Sequence, residues 1–187
     1  MNILHLTHHF HPCSGGIESH VKELSLELIK RGHRSDVLCL NRCPDGRRLG
    51  GFEQYKKIHI YRVPFVDLKY YKVAGNILDY VKGYDILHVH GLGYFLDMLS
   101  ATKSYHRKPL IISTHGGFFH TKSLGFVKKV HFQTLSKAAL KNVDKVVAVS
   151  GQDWERFRKI SHPVLIPNGI SLAGYASRKK DPALFVF

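Results

Sequence analysis

Carboxylates are scarce in this sequence. Its 187 residues hold 14 Asp and Glu against 28 Lys and Arg, a formal net charge of +14, and 14 histidines can add to it at lower pH. No pair of carboxylates falls at loop positions, so two-carboxylate glycoside hydrolysis has no candidate. Cysteine is scarce as well. Cys13, Cys39 and Cys43 are odd in number and make no Cys-x-x-Cys pair, which points to a reduced, cytoplasmic protein. No run of about 18 apolar residues occurs, which excludes a membrane-spanning helix. The start, Met1-Asn2-Ile3-Leu4-His5-Leu6, lacks the basic region of a signal peptide. A P-loop, a G-x-G-x-x-G fingerprint, a nucleophile elbow and a Ser/His/Asp arrangement are absent too.

What is present is a globular composition. Hydrophobic residues make up 44% and aromatics 11%, which excludes a disordered chain and gives room for one sizeable α/β domain. Residues 2–7 read as a buried strand, followed by the loop His8-His9-Phe10-His11-Pro12-Cys13-Ser14-Gly15-Gly16. A helix is expected from about Ile17 to Arg31. Its apolar Ile17, Val21, Leu24 and Leu28 keep the 3.6-residue period, Glu18–Lys22 and Glu27–Arg31 pair at i,i+4, and Gly32 stops it. Further strands are expected at 35–40, 58–63, 85–90, 109–114, 144–149 and 164–166. Helices are expected at 68–82, 93–104, 123–142 and 151–160. Alternating strands and helices imply a doubly wound, mostly parallel, Rossmann-like sheet. Residues 171–182 read as a linker, and Ala183-Leu-Phe-Val-Phe187 as the start of another buried strand.

The charge is uneven. Residues 1–100 carry 13 basic and 10 acidic residues, whereas 101–187 carry 15 and 4, so +11 of the surplus lies in the second half. Within 123–142, Lys128, Lys129, Lys137 and Lys141 alternate with Leu124, Val127, Val130 and Leu135, a basic amphipathic pattern suited to an anionic membrane. It also suits a solvated face or an acidic partner domain. Scattered aromatics and the lack of any RNA- or DNA-binding signature give nucleic acid no support.

Three features belong to the carboxyl edge of such a sheet, where ligands bind. Gly15-Gly16 precedes the first helix, so backbone N–H groups and the helix dipole can meet a phosphate. His115 follows the fifth expected strand and precedes Gly116-Gly117. His88 and His90, two apart on one strand, share a face, and His8, His9 and His11 crowd the first loop. With Glu18 the main carboxylate nearby, lining a polar cleft is favoured over holding a metal.

Together these segments resemble the family-four retaining glycosyltransferases of two-domain GT-B architecture. The resemblance rests on His9-Phe-His-Pro, Gly15-Gly-Ile-Glu-Ser-His-Val21, Asp85-Ile-Leu-His-Val-His-Gly91, Ser113-Thr-His-Gly116, Val143-Asp-Lys-Val-Val-Ala-Val-Ser150 and Ile166-Pro-Asn-Gly-Ile170, in that order. It implies that residues 1–170 form the N-terminal, acceptor-side Rossmann-like domain. Residues 171–187 would then be the interdomain linker and the first strand of a C-terminal domain. Gly15 and Gly16 then match the loop that approaches the donor diphosphate, Glu18 and His20 the acceptor side, His115 the histidine of the catalytic cleft, and Asn168 and Gly169 the hinge. The implied reaction is sugar transfer from a nucleotide-diphosphate donor to a glycan or lipid acceptor, with retention and without a metal. Two departures stand out: the E-x7-E carboxylates of the second domain are not in these residues, and Ser171 replaces an aspartate common after Pro-Asn-Gly-Ile. The alternative is a non-catalytic module that binds a phosphorylated glycan or lipid, or complements a separate nucleotide-binding chain. The expected location is cytoplasmic, with or without peripheral contact to the inner face of the membrane.

Overall fold

The computed structural model describes residues 1–69, 71–116 and 130–169. Continuous apolar runs flanked by turn residues become the central strands: β1 (Asn2–Leu6), β2 (Arg34–Leu40), β4 (Ile58–Val63), β7 (Ile86–His90), β8 (Leu110–Ser113), β9 (Lys145–Ala148) and β10 (Val164–Leu165). With β3 (Phe52–Tyr55) they form one eight-stranded sheet in the order β10-β9-β8-β7-β1-β2-β4-β3. All neighbours are parallel except β3 and β4. The order reverses at β1, which pairs with β2 on one side and β7 on the other. That is the topological switch point, where the loops after β1 and β7 splay apart and open a crevice.

Two apolar layers cover the sheet. On one face Leu4, Leu6, Leu38, Leu40, Leu87, Val89, Leu110 and Ile112 pack with Phe95, Leu96 and Leu99 of α3 (Tyr94–Ala101) and with Leu140 of α5 (Lys137–Lys141). On the other, Val37, Cys39, Ile58 and Ile60 pack with Ile17, Val21, Leu26 and Ile29 of α1 (Gly16–Lys30). Strand alternation therefore places Leu4, Leu6, Leu87 and Val89 on the first face and His5, His88 and His90 on the face of α1.

Several expectations are corrected. Helix α1 starts one residue early and ends as foreseen, with Gly32 at φ +82° and His33 N donating to Leu28 O. Glu27 pairs with Arg31 as expected, but Lys22 pairs with Glu23, because Glu18 turns back over Gly15 at the positive end of the helix dipole. Residues 68–82 are not one helix. Leu68 ends β5 (Phe65–Leu68), which pairs antiparallel with β6 (Tyr71–Ala74), and of the described residues in this range only α2 (Leu78–Val81) is helical. Gly75 and Asn76 break the period there, and the Asn76 carboxamide oxygen accepts from the Leu78 N–H at 3.1 Å, as capping side chains do. The helix expected at 93–104 divides into α3 and α4 (Lys103–His106). Within 123–142 the described part is a π-helical turn, Phe132–Ser136, followed by α5. The last described helix is α6 (Gly151–Phe157).

The expectation of three reduced thiols is also overturned. Cys13 and Cys43 form a disulfide with Cα atoms 5.8 Å apart, and Cys39 is a buried free thiol. Because β1 and β2 are parallel neighbours, the loops that follow them emerge side by side, which sequence spacing alone does not show. Gly117, Lys128, Lys129, Ser171, the linker and the terminal strand lie outside the described residues. Among those described, no helix is long and apolar enough to cross a membrane.

Candidate functional site

The site forms where four carboxyl-edge loops meet. Gly16 at the start of α1, His115 and Gly116 after β8, Ser150 and Asp153 at the start of α6, and Asn168 after β10 line one cleft of about 400 Å³. Three residues singled out from the sequence, Gly16, His115 and Asn168, thus come together. A Cβ built at Gly16 meets nothing within 4 Å, so the position opens on the cleft. A methyl group at Gly15 would instead collide with the flexible Glu18 carboxylate. His20, one turn into α1, lies with its ring 5.2 Å from that of His115 and 5.8 Å from that of His90. Gly15, Glu18, His20 and Gly169 are not among the lining residues of this cleft. Gly169 borders, with His20, a neighbouring groove along α1.

His115 sits at φ +44°, a left-handed conformation uncommon outside glycine and held only where its surroundings fix it. Asp153 does the fixing. Its carboxylate, 2% exposed, accepts from Thr114 Oγ1 at 2.7 Å and from Gly116 N at 2.9 Å, the two residues that flank His115. Ser150 Oγ caps α6 by accepting from Asp153 N at 3.2 Å. Arg156 Nη1 lies 4.0 Å from Asp153 Oδ1 and 3.4 Å from the Gly116 carbonyl oxygen it donates to. Sequence reading passed over Asp153, because an acid in the first turn of a helix reads as a dipole partner. The signal that could have found it is Ser150 three residues ahead, which marks a helix start beside the His115 turn.

Behind His115 lies a stack of imidazoles. His90 Nδ1 and His115 Nε2 are 3.2 Å apart, and His5 Nδ1 and His90 Nε2 3.0 Å apart, each pair sharing one proton. His88 Nε2 is 2.9 Å from Ser113 Oγ. Register explains the convergence: His5 of β1 pairs across with His88 of β7, and His90 with Ser113 of β8. Burial pushes His5 down to about 3 and His115 down to about 4, with the His20 ring adding to both effects. Burial also holds His88 and His90 well below the ordinary imidazole value and lowers His20. At neutral pH these rings are uncharged, so each offers one donor and one lone pair. Two groups of three, His5/His88/His90 and His20/His90/His115, each place one ring nitrogen per residue within 4.8 Å of the others.

The first loop is held from its far side. Arg62 of β4, 4% exposed, donates to the His11 carbonyl and to Glu53 Oε2, both at 2.5 Å, and to the Gly50 carbonyl at 3.2 Å. The Cys13–Cys43 bond ties the same loop to the one after β2.

The basic residues lie elsewhere. Lys137, Lys141, Lys145, Arg158 and Lys159 line a cleft of about 500 Å³ at the amino edge, before β9 and after α5 and α6. The described lysines of the 123–142 segment are therefore not beside the His115 cleft. Helix α5 runs opposite to the strands and delivers its last turn to their starting edge.

Comparison with known proteins agrees with this architecture. Residues 14–173 match the model of Glycosyltransferase Family 4. A GDP-mannose:cellobiosyl-diphosphopolyprenol alpha-mannosyltransferase of Xanthomonas oryzae pv. oryzae (strain PXO99A) is 32% identical over 190 residues, which cover 95% of this chain and 48% of the relative. The enzyme of the same name from Komagataeibacter xylinus is 32% identical over 195 residues, covering 100% of this chain and 49% of its own length. The chain thus spans about half the length of the curated relatives it matches. Among solved structures, an alpha-glucosyltransferase in complex with UDP and a 13-mer DNA aligns with a TM-score of 0.52 at 13% identity, over 89% of this chain and 41% of that one, a likeness of fold. The sheet order, the carboxyl-edge cleft, the family match and the relatives together establish that this chain belongs to glycosyltransferase family 4.

Proposed function

We propose that this chain is the acceptor-side half of a retaining transferase that moves mannose from GDP-mannose to a glycan carried on a polyprenol diphosphate. The single observation that carries the reading is the cleft shared by Gly16, His115 and Asn168 at the sheet's switch edge. The open Gly16 position at the start of α1 lets the donor diphosphate approach the free N–H groups of the helix. His115, uncharged at neutral pH and fixed by its turn, faces the same space with a ring that can donate to or accept from a sugar hydroxyl. His20 and Glu18 flank the acceptor, and Asn168 and Gly169 act as the hinge to a nucleotide-binding half. The reading needs no metal cofactor. A polyprenol acceptor implies peripheral contact with an anionic membrane.

The test is transfer of labelled mannose from GDP-mannose to a cellobiosyl-diphosphopolyprenol acceptor. It compares the 187-residue chain alone with the chain fused to the C-terminal half of a mannosyltransferase relative. Electrostatic stabilisation of the departing diphosphate needs both halves, so the fusion is expected to transfer and the chain alone is not. In the fusion, Gly16→Val and His115→Ala should each cost about 1–3 kcal/mol, roughly ten- to hundredfold in rate. Transfer by the fusion that is unchanged in both variants would remove this site assignment. A fusion that binds acceptor but never transfers would favour the non-catalytic module.

A further inference from the structure

We propose that His20, His90 and His115 form a binding site for a borderline transition-metal dication, with Zn²⁺ the representative ligand, at the inner end of the carboxyl-edge cleft. The three rings come from three separate elements, α1, the last residue of β7 and the turn after β8, and one nitrogen of each lies within 4.8 Å of the others. His90 Nδ1 and His115 Nε2 are 3.2 Å apart. Two imidazole nitrogens bound to one tetrahedral zinc at about 2.0–2.1 Å stand about 3.3 Å apart, so this edge of the site is already at ligating distance. His20 sits on a half-buried helix face, and a rotation of its side chain closes the triangle.

The proton inventory closes as well. Binding through both His90 Nδ1 and His115 Nε2 needs both lone pairs, so the proton they share moves to another ring nitrogen. His115 then carries its proton on Nδ1. His90 carries its own on Nε2 and donates it to His5 Nδ1, 3.0 Å away. His5 in turn is protonated at Nε2, a fully buried nitrogen without another partner among the described residues. His5 thus orients a ligating ring through its second nitrogen, the support that metal-binding histidines ordinarily have. Three imidazoles and no carboxylate select Zn²⁺, Ni²⁺ or Cu²⁺ over Mg²⁺ and Ca²⁺, which require oxygen. The deeper triad of His5, His88 and His90 shares His90, but His88 Nε2 is committed to Ser113 Oγ and His5 is fully buried. A metal held through His115 takes that ring out of the cleft, so metal and substrate would exclude one another.

The experiment needs no sugar donor. The chain is stripped with EDTA, dialysed, and titrated calorimetrically with ZnCl₂. A parallel titration with CoCl₂ follows visible absorption, because tetrahedral Co²⁺ absorbs far more strongly than octahedral Co²⁺. One equivalent of Zn²⁺ with micromolar or tighter affinity, a tetrahedral cobalt band and no heat from MgCl₂ are expected. His20→Asn and His115→Gln should each weaken Zn²⁺ at least tenfold and remove the band, and His88→Gln should leave both intact, with circular dichroism confirming the fold. Absence of saturable Zn²⁺ binding overturns the proposal. So does tight binding that survives both His20→Asn and His115→Gln, which would place the metal on other histidines. Loss in His88→Gln without loss in His20→Asn would assign it to the deeper triad and overturn it equally.

Discussion

Asp153 and His5 illustrate how much of this site depends on single buried polar groups. Replacing Asp153 by Ala leaves two donors, Thr114 Oγ1 and Gly116 N, without their acceptor in a buried turn. Each such loss costs about 1–3 kcal/mol, so Asp153→Ala should lower stability by roughly 2–6 kcal/mol. Asp153→Asn keeps an acceptor oxygen and should lose less. Urea denaturation of both variants checks this, and equal stability of Asp153→Ala and wild type would show that the turn does not depend on Asp153. His5 makes a second case, with the sign set by linkage. Unfolded, its ring takes a proton near pH 6.5; folded, burial delays this to about 3. Between those values the unfolded state binds more protons, so the stability present above pH 6.5 is lost as pH falls through that window. In EDTA-containing buffer the urea midpoint should drop between about pH 7.5 and about pH 5, at up to ~1.4 kcal/mol per pH unit for each buried ring. A flat midpoint would mean that the stack accepts protons in the folded state. Sequence reading recognised His88 and His90 as one face, since period two is local. It could not supply His5, whose arrival depends on which strands become neighbours, and it reached His20 of α1 only through the family resemblance.

Elements were legible where burial on both faces left an unbroken apolar run. Strands β1, β2, β7 and β8 are of that kind, and the reading was right for them within a residue or two. It missed β3, whose Phe52-Glu-Gln-Tyr55 alternates weakly because an edge strand needs only one neighbour. It misread β5 and β6, because Leu68, Tyr71, Ile77, Leu78 and Val81 happen to fall near helical spacing. The hairpin wins because Tyr71 packs against Tyr94 and its hydroxyl donates to Asp97 Oδ2 at 2.8 Å, contacts formed with an element distant in sequence. The glycine loop is set by another such contact. Arg62 of β4 joins the loop after β1 to the edge strand β3 and the turn before it, and removing its charge strands the His11 and Gly50 carbonyls and Glu53. Arg62→Met should therefore cost roughly 2–4 kcal/mol and speed amide exchange at Gly15 and Gly16. Unchanged exchange there would mean that the Cys13–Cys43 bond alone sets the loop.

At the scale of the whole molecule the charge remains to be placed. The second half carries +11, yet among the described residues Lys137, Lys141 and Lys145 crowd the amino edge, one strand length from the His115 cleft. Binding end-on through that edge would lift the cleft away from a bilayer. Lying side-on does not. Helices α3 and α5 cover one face of the sheet, and the segment leading into α5 exposes Val130 and Leu135 at 46% and 57% beside Lys137 and Lys141. Exposed apolar side chains flanked by lysines suit the interface of an anionic leaflet. A domain resting on this face keeps both edges, and so the cleft, near the headgroups where a polyprenol diphosphate would stand. The competing view is that the lysines only keep the chain soluble. Co-sedimentation with anionic and neutral vesicles across a salt series separates the two. Binding should favour anionic vesicles and fall steeply with salt, since screening is strong beyond a Debye length of ~8 Å at physiological strength. Lys137→Glu with Lys141→Glu should remove about 1 kcal/mol per lost lysine, or more with the added repulsion. Leu135→Ser should weaken binding without changing its salt dependence. Equal binding to both vesicle types, or no binding even at low salt, would leave the face as a solvated surface and make a soluble acceptor the better substrate to assay.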